Sequence, residues 1–164
     1  MRVRRIVAGL HPRRHPGDGL QEIAELARSM EAELLGLFIE DTVLLHFAGL
    51  PFTREIGAAS GLQREIDVAA MERLMRVRAE ELRGRLADAL GASAVPWSFR
   101  VARGTLAQQL LAAAIEQPGP TLLLPPGSDI DEEPCIVPLA ELTHERLSEL
   151  LERARPILIL PPEP

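Results

Sequence analysis

The stretch Thr121-Leu-Leu-Leu-Pro-Pro-Gly-Ser-Asp129 decides the fold. Its short apolar run lies between a Pro-Gly-Pro segment and a Pro-Pro-Gly segment, which is typical of a fully buried strand. Continuous apolar strands of this kind occur in parallel sheets whose two faces are covered by helices. Ligands of such sheets bind just beyond the carboxyl ends of the strands, so the loop after Leu124 is the place to look for a ligand.

That loop is acidic and poor in glycine. It carries four carboxylates, Asp129, Asp131, Glu132 and Glu133, and no glycine follows Gly127 in the sequence. A solvated acidic loop is the simplest interpretation, and a site for a hard divalent cation is the alternative, because such cations prefer carboxylate oxygens. The spacing lacks the glycine of an EF-hand loop, so no metal ligand is predicted.

Strands and helices alternate along the rest of the chain. Apolar runs predict strands over 5–10, 33–39, 95–102, 121–125 and 156–160, and helical periodicity predicts helices over 19–32, 66–90, 138–154 and from 104 onward. Pro96 lacks an N–H donor, which favours a position near a sheet edge for the third strand. This order predicts a single α/β domain over 1–164, with a parallel sheet covered on both faces.

One segment does not fit the alternation. Residues 42–65 form a long apolar insert between the second strand and the second helix, and they include Phe47 and Phe52. Connections of this length are usually functional or disordered. We expect part of 42–52 to be helical and to pack over the strand-end cleft or a partner subunit; a short helix packed on the sheet and a lid remain alternatives.

Composition excludes several classes of function. The formal net charge of the 164 residues is −6, which argues against a general affinity for nucleic acid. No run of 18 apolar residues occurs, so no membrane span is predicted. The chain has no lysine, which removes Schiff-base chemistry and a phosphate-loop lysine. The single Cys135 cannot form an internal disulfide, which fits a reducing compartment, and we expect a cytoplasmic protein.

Four segments together resemble the universal stress protein family. They are Arg5-Ile-Val-Ala-Gly-Leu10, Glu33-Leu-Leu-Gly-Leu-Phe-Ile-Glu-Asp41, Trp97-Ser-Phe-Arg-Val-Ala-Arg-Gly-Thr105 and Arg155-Pro-Ile-Leu-Ile-Leu160. The resemblance implies a Rossmann-like domain of the adenine nucleotide alpha hydrolase type, with five parallel strands in the order 3-2-1-4-5. It also implies a common dimer through the fifth strand and, in one branch of the family, bound ATP.

The chain departs from the ATP-binding branch. That branch has an Asp at the end of strand one, where this chain has Leu10, and two further glycines after the position of Gly127, which are missing here. Glycines allow backbone N–H groups to approach phosphates closely. We therefore expect no ATP and no other cofactor, and we take as the candidate ligand cleft Gly9, Leu10, Ile39, Gly127, Ser128 and Asp129. Ile39 is included because its position meets the adenine in ATP-binding relatives.

Catalytic chemistry finds little support. Cys135 follows Glu132, Glu133 and Pro134, and neighbouring carboxylates oppose formation of the thiolate that a nucleophile needs. His11 and His15 are four residues apart, but prolines follow both of them and forbid the helix that would align them as zinc ligands. No catalytic residue is predicted.

The last strand predicts an assembly. Ile157, Leu158, Ile159 and Leu160 would form an apolar edge strand, and an open edge of this kind invites pairing with a second copy. Our leading hypothesis is a non-catalytic binding or regulatory module that forms this homodimer, does not bind ATP, and recognises an unidentified protein or small ligand. The alternatives are a nucleotide-binding stress protein with an altered phosphate loop and a small metal- or Cys-dependent hydrolase.

Overall fold

The computed structural model describes residues 2–11, 19–41 and 61–162, which form a six-stranded mixed sheet and four helices. The strands are β1 (Arg5–Leu10), β2 (Glu33–Asp41), β3 (Trp97–Gly104), β4 (Thr121–Leu124), β5 (Cys135–Pro138) and β6 (Ile157–Leu160). The helices are α1 (Gly19–Met30), α2 (Gly61–Leu90), α3 (Leu106–Glu116) and α4 (His144–Leu151). None of the helices within these ranges has the length and apolar character needed to cross a membrane.

The first four strands all run in the same direction. The order is β3-β2-β1-β4-β6-β5, and β1 pairs in parallel with both β2 and β4. All six residues of β1 are buried, as expected for a central strand that helices cover on both sides. The predicted α/β class and the edge position of β3 are confirmed.

The prediction of five parallel strands in the order 3-2-1-4-5 is wrong at its last strand. β6 runs antiparallel to β4, with Leu122 opposite Leu158, and β5, which the sequence did not predict, pairs in parallel with β6 on its other side. The reason is the connection after β4. Two parallel neighbours need a crossover connection between them. Here a loop crosses the sheet at the carboxyl end of β4, so β5 begins at that end and runs in the direction opposite to β4. The crossover through α4 then makes β6 parallel to β5 and antiparallel to β4.

Alternation along the strands divides the core between the two faces. Ile6, Ala8 and Leu10 of β1 pack on the face that α1 and α2 cover, whereas Val7 packs with α3 and α4 on the other. Neighbouring side chains of a strand point to opposite faces, so one apolar run supplies both cores.

The polar caps explain where two helices begin. The Thr105 hydroxyl accepts a hydrogen bond from the Gln108 N–H at 3.2 Å, and the Gln108 side chain accepts one from the Thr105 N–H at 3.3 Å. This capping box starts α3 where the sequence predicts it. The helix predicted over 138–154 is shorter: after a turn of 3-10 helix at Leu139–Glu141, the Thr143 hydroxyl accepts from the Arg146 N–H at 3.1 Å and caps α4.

The expectation for the apolar insert falls mostly outside the described residues. Positions 42–60, which include Phe47 and Phe52, are not among them, and neither are 12–18 with His15. The second helix begins at Gly61, earlier than the predicted start at 66.

Candidate functional site

The point where the strand order reverses carries a cavity. From β1 the chain continues to β2 on one side of the sheet, while β4 lies on the other, and ligands of open α/β sheets bind at such a switch point. Residues around the carboxyl ends of β1 and β4 line a cavity of about 290 Å³. Its walls are Gly9–His11, the first turns of α1 with Gly19, Glu22 and Ile23, the segment 124–128, and Ile130.

The segment Pro125–Ser128 is a closed turn. The Pro125 carbonyl accepts hydrogen bonds from the Ser128 N–H at 3.0 Å and from the Ser128 hydroxyl at 2.5 Å. Gly127 has a φ of +79°, the value that the third residue of a type II turn requires and that glycine adopts without strain. Two residues of the turn are prolines, which have no N–H, and Ser128 uses its own N–H within the turn. Of the four residues only Gly127 has an N–H that this turn does not use, so the turn can present at most one N–H to a ligand.

The end of β1 packs against this turn. A Cβ atom at Gly9 would lie 3.0 Å from Cδ of Pro126, so only glycine lets the proline ring pack this closely on the strand. The next residue, Leu10, is 4% exposed and belongs to the core on the α1 side. The end of β1 therefore contributes apolar surface, and its side chains offer no carboxylate to a ligand.

The predicted cleft residues are brought together only in part. Gly9, Leu10, Gly127 and Ser128 line the cavity, whereas Ile39 and Asp129 do not. Ile39 is 2% exposed and packs in the core on the α3 and α4 face, the opposite face from Leu10.

Eight of the twelve lining residues were not among the predicted cleft residues: His11, Gly19, Glu22, Ile23, Leu124, Pro125, Pro126 and Ile130. Glu22 and Ile23 could have been found from topology, since the helix that follows a strand of a parallel sheet begins near that strand's carboxyl end. Ile130 carries no such signal. Its side chain is the apolar exception in an acidic loop, and it packs against the core on the α1 face.

The acidic loop is organised by its own hydrogen bonds. The Asp129 carboxylate accepts a hydrogen bond from the Asp131 N–H at 3.0 Å, which makes an Asx turn. Arg155, just before β6, donates from Nε to the Glu133 carbonyl at 2.8 Å, and the same nitrogen lies 3.6 Å from a Glu132 carboxylate oxygen. The Glu132 carboxylate thus faces an arginine of the neighbouring segment.

Metal and thiol chemistry have little geometric basis here. Over the ranges described, no group of three or more His, Cys, Asp or Glu side chains could hold a metal ion. Cys135 is half-buried at the start of β5, where its N–H donates to the Pro156 carbonyl at 2.9 Å, and it is not among the residues that line the cavity. A hydrolase that uses Cys135 or a metal gains no specific support.

A second charged cluster lies where β2 and β3 end. The Nε of Arg103 donates to the Glu40 carboxylate at 2.8 Å, and Glu72 of α2 lies 4.0 Å from the same guanidinium. The hydrogen bond to Glu40, which is 8% exposed, raises the pKa of Arg103 above its usual value. The arginine thus links β3 to β2 and to α2 at this end of the sheet.

A scan against protein-family models finds no match, and a search of curated proteins finds none either.

Proposed function

We propose that this chain is a non-catalytic binding or regulatory module, similar to universal stress proteins, whose strand-end cavity takes a small, largely apolar ligand and does not take ATP. The observation that carries the proposal is the closed turn at Pro125–Ser128. It stands where a nucleotide-binding member of the family would present N–H groups to phosphates, and its serine N–H and hydroxyl both go to the Pro125 carbonyl.

The size and walls of the cavity support this ligand class. Its volume of about 290 Å³ lies just below the roughly 300–1,000 Å³ typical of small-molecule sites, so the ligand would be small. Leu10, Ile23, Leu124 and Ile130 contribute apolar surface, and Glu22 contributes a carboxylate. A carboxylate in the wall disfavours an anionic ligand and favours one with a hydrogen-bond donor or a positive charge.

The homodimer is also retained as a proposal, but not through Ile157–Leu160. That interface depended on the last strand lying at a sheet edge, and the structure places β6 between β4 and β5, which occupy both of its backbone edges. A second copy has no open ladder to pair with on β6.

The alternative is a nucleotide-binding module with an altered phosphate loop. The observation that favours it is the place of the cavity, because nucleotides bind at the switch point of many α/β sheets. In this alternative, segments other than 125–128 would have to supply the phosphate donors. Nucleotide released by denaturing protein that was purified without added ligand would favour it.

The experiment is a thermal-shift panel followed by calorimetry on the full chain. The panel compares neutral and cationic apolar molecules with carboxylates, ATP and ADP in the presence of Mg²⁺. A ligand that binds only the folded state raises the melting temperature by mass action, and we expect this only from the neutral and cationic group. Titration with Mg-ATP that gives a micromolar dissociation constant would overturn the proposal.

A matched pair of variants locates the binding site. Ile23→Trp places a larger side chain in the cavity wall, and Ile115→Trp makes the same change on an exposed position of α3, which is 60% exposed. We expect the first variant to lose the ligand-induced shift and the second to keep it. Equal shifts in both variants would place the ligand elsewhere and contradict the site.

A further inference from the structure

The two edges of the sheet differ in what they offer another chain. At one edge, the Cys135 N–H donates to the Pro156 carbonyl. Because backbone groups alternate along a strand, those of residues 134, 136 and 138 point away from β6. Two of these three are Pro134 and Pro138, which have no N–H to donate. Natural sheets protect edge strands with prolines at such positions, so this edge is closed to pairing.

Within the part of the chain that the structure describes, the other edge has no neighbouring strand. The Leu34 N–H donates to the Pro96 carbonyl. The backbone N–H and C=O groups of the even-numbered residues of β3 therefore point to β2, and those of the odd-numbered residues point away from the sheet. The outward residues are Trp97, Phe99, Val101 and Arg103, and each has an N–H. The Arg103 carbonyl accepts from the Gln109 side chain at 2.9 Å, and a carbonyl oxygen has a second lone pair for another donor.

Apolar side chains accompany this open backbone. Trp97 is 36% exposed and Val101 is 47% exposed, and both lie on the same sheet face as Phe99, which packs partly against the core. β3 is the terminal strand of the sheet that the described residues form, and it has eight residues against four in β5. A long apolar edge without proline invites pairing with another strand.

We propose that β3 pairs antiparallel with β3 of a second copy across a two-fold axis at Arg100, which joins the two sheets. In this register Trp97 lies opposite Arg103 and Phe99 lies opposite Val101, each twice. Every outward residue then meets an outward residue, as the hydrogen-bonded pairs of an antiparallel ladder require. The pairs are also chemically matched, because a guanidinium stacks on an indole and Phe packs on a β-branched side chain.

The charges at the axis agree with a second copy as the occupant. Arg100 would lie opposite its own copy, which for two free cations would be unfavourable. Here each Arg100 guanidinium is bonded to the Glu116 carboxylate at 2.8 and 2.9 Å, so each arginine would bring its own counter-charge to the axis. The proposed homodimer would therefore use the β3 edge, a surface that does not include the ligand cavity.

The test uses the only tryptophan in the chain as a reporter. We expect sedimentation and light scattering to find a dimer, and the emission of Trp97 to shift to shorter wavelength as dimers form over a dilution series. A monomeric wild type would overturn the proposal, as would a dimer whose formation leaves the Trp97 emission unchanged, since that dimer would use another surface. A wild type that stays monomeric but binds an added extended peptide at this edge would also overturn the second copy as occupant.

Two proline substitutions at outward edge positions supply the matched comparison. Val101→Pro removes one N–H from the β3 edge, and Ile136→Pro removes one from the β5 edge. Each position faces away from its neighbouring strand, where proline is tolerated in the monomer. We expect Val101→Pro to raise the dimer dissociation constant at least about tenfold with an unchanged circular dichroism spectrum, and Ile136→Pro to leave it unchanged. The reverse result would overturn the proposal. If Val101→Pro loses structure, Val101→Thr serves as the second variant. It keeps the N–H and should remain dimeric.

Discussion

Arg100 and Glu116 meet in two parallel hydrogen bonds, with Nη1 2.8 Å from Oε2 and Nη2 2.9 Å from Oε1. The pair joins the edge strand β3 to the last residue of α3. The Nη2 of Arg5, which is 4% exposed, lies 3.9 Å from the same carboxylate, and its Nη1 donates to the Ala113 carbonyl of α3 at 3.1 Å. The Glu116 carboxylate, at the end of α3, thus contacts two arginines: Arg100 on the surface, in a bidentate pair, and the buried Arg5.

The first prediction concerns the pH dependence of this pair. The hydrogen bond from Arg100 lowers the pKa of Glu116, so its stabilisation is fully present above the ordinary value of about 4.3 and is lost as the pH falls through the lower folded value. Glu116 is partly exposed, so we expect Glu116→Gln to cost about 0.5–1 kcal/mol at neutral pH. Urea unfolding should show the difference from wild type shrinking at acid pH.

Its control is Glu149→Gln, because Glu149 makes a single exposed contact of 3.5 Å with Arg146. That substitution should change the free energy of unfolding very little. Arg100→Lys should behave like Glu116→Gln, since an ammonium group cannot make the bidentate contact. A loss for Glu116→Gln that stays constant down to acid pH would show that its charge is not the cause.

The second prediction compares two glycines. A Cβ at Gly36 of β2 would lie 2.9 Å from Cδ2 of Leu86 and 3.2 Å from Cδ2 of Phe99, and Leu86 is 1% exposed and held in the core. Overpacking there should make Gly36→Ala lose about 1–3 kcal/mol. Gly84 of α2 is exposed and a methyl group added there would have no neighbour within 4 Å, so Gly84→Ala should gain about 0.5–1 kcal/mol from helix propensity. Two denaturant curves that move in the same direction would contradict this.

The sequence predicts those strands that are continuous apolar runs. The runs at 5–10, 33–39 and 121–124 are buried strands because helices cover both of their faces, and such strands need no alternation to be found. β5 was missed because Cys135–Pro138 offers only four residues next to Pro134, too few for a pattern. The direction of β6 could not be predicted from its own residues, because it depends on whether the preceding connection is a helix or a loop.

The residues of the candidate site also fall into those that the sequence could predict and those that it could not. Gly127 and Ser128 could be predicted because they follow a buried strand, and the carboxyl end of a strand is where a ligand is expected. Ile39 lies within β2, near its carboxyl end, but its side chain points to the face opposite Leu10. Asp129 follows β4 too, yet its carboxylate is bonded to the Asp131 N–H, a contact that sequence spacing permits without requiring.

The third prediction concerns the turn below the cavity. Gly127→Ala would force an L side chain into a φ of +79°, at a cost of about 1–2 kcal/mol. Ser128→Ala keeps the backbone and loses only the hydroxyl bond to Pro125, at about 0.5–1.5 kcal/mol. Thermal unfolding measures both. If the ligand-binding site is built on this turn, Gly127→Ala should also weaken binding of any ligand found by the thermal-shift panel, and an unchanged affinity would show that the turn does not shape the site.

The last prediction uses Ile136 and Leu158, which are register partners on neighbouring strands and therefore lie side by side on the same face of the sheet. Their surroundings differ, because Ile136 is 60% exposed on the terminal strand while Leu158 packs against the core on the α1 and α2 face. Ile136→Lys should therefore change stability by no more than about 0.5 kcal/mol. Leu158→Lys loses apolar packing and brings a charge towards the core, so we expect a loss of about 2 kcal/mol or more. Were Leu158 at an open dimer edge, as the sequence alone suggests, the same lysine would separate two copies and leave each one folded. Denaturant unfolding at a concentration where the wild type is monomeric distinguishes the two cases: a Leu158→Lys monomer as stable as wild type would contradict the internal position of β6.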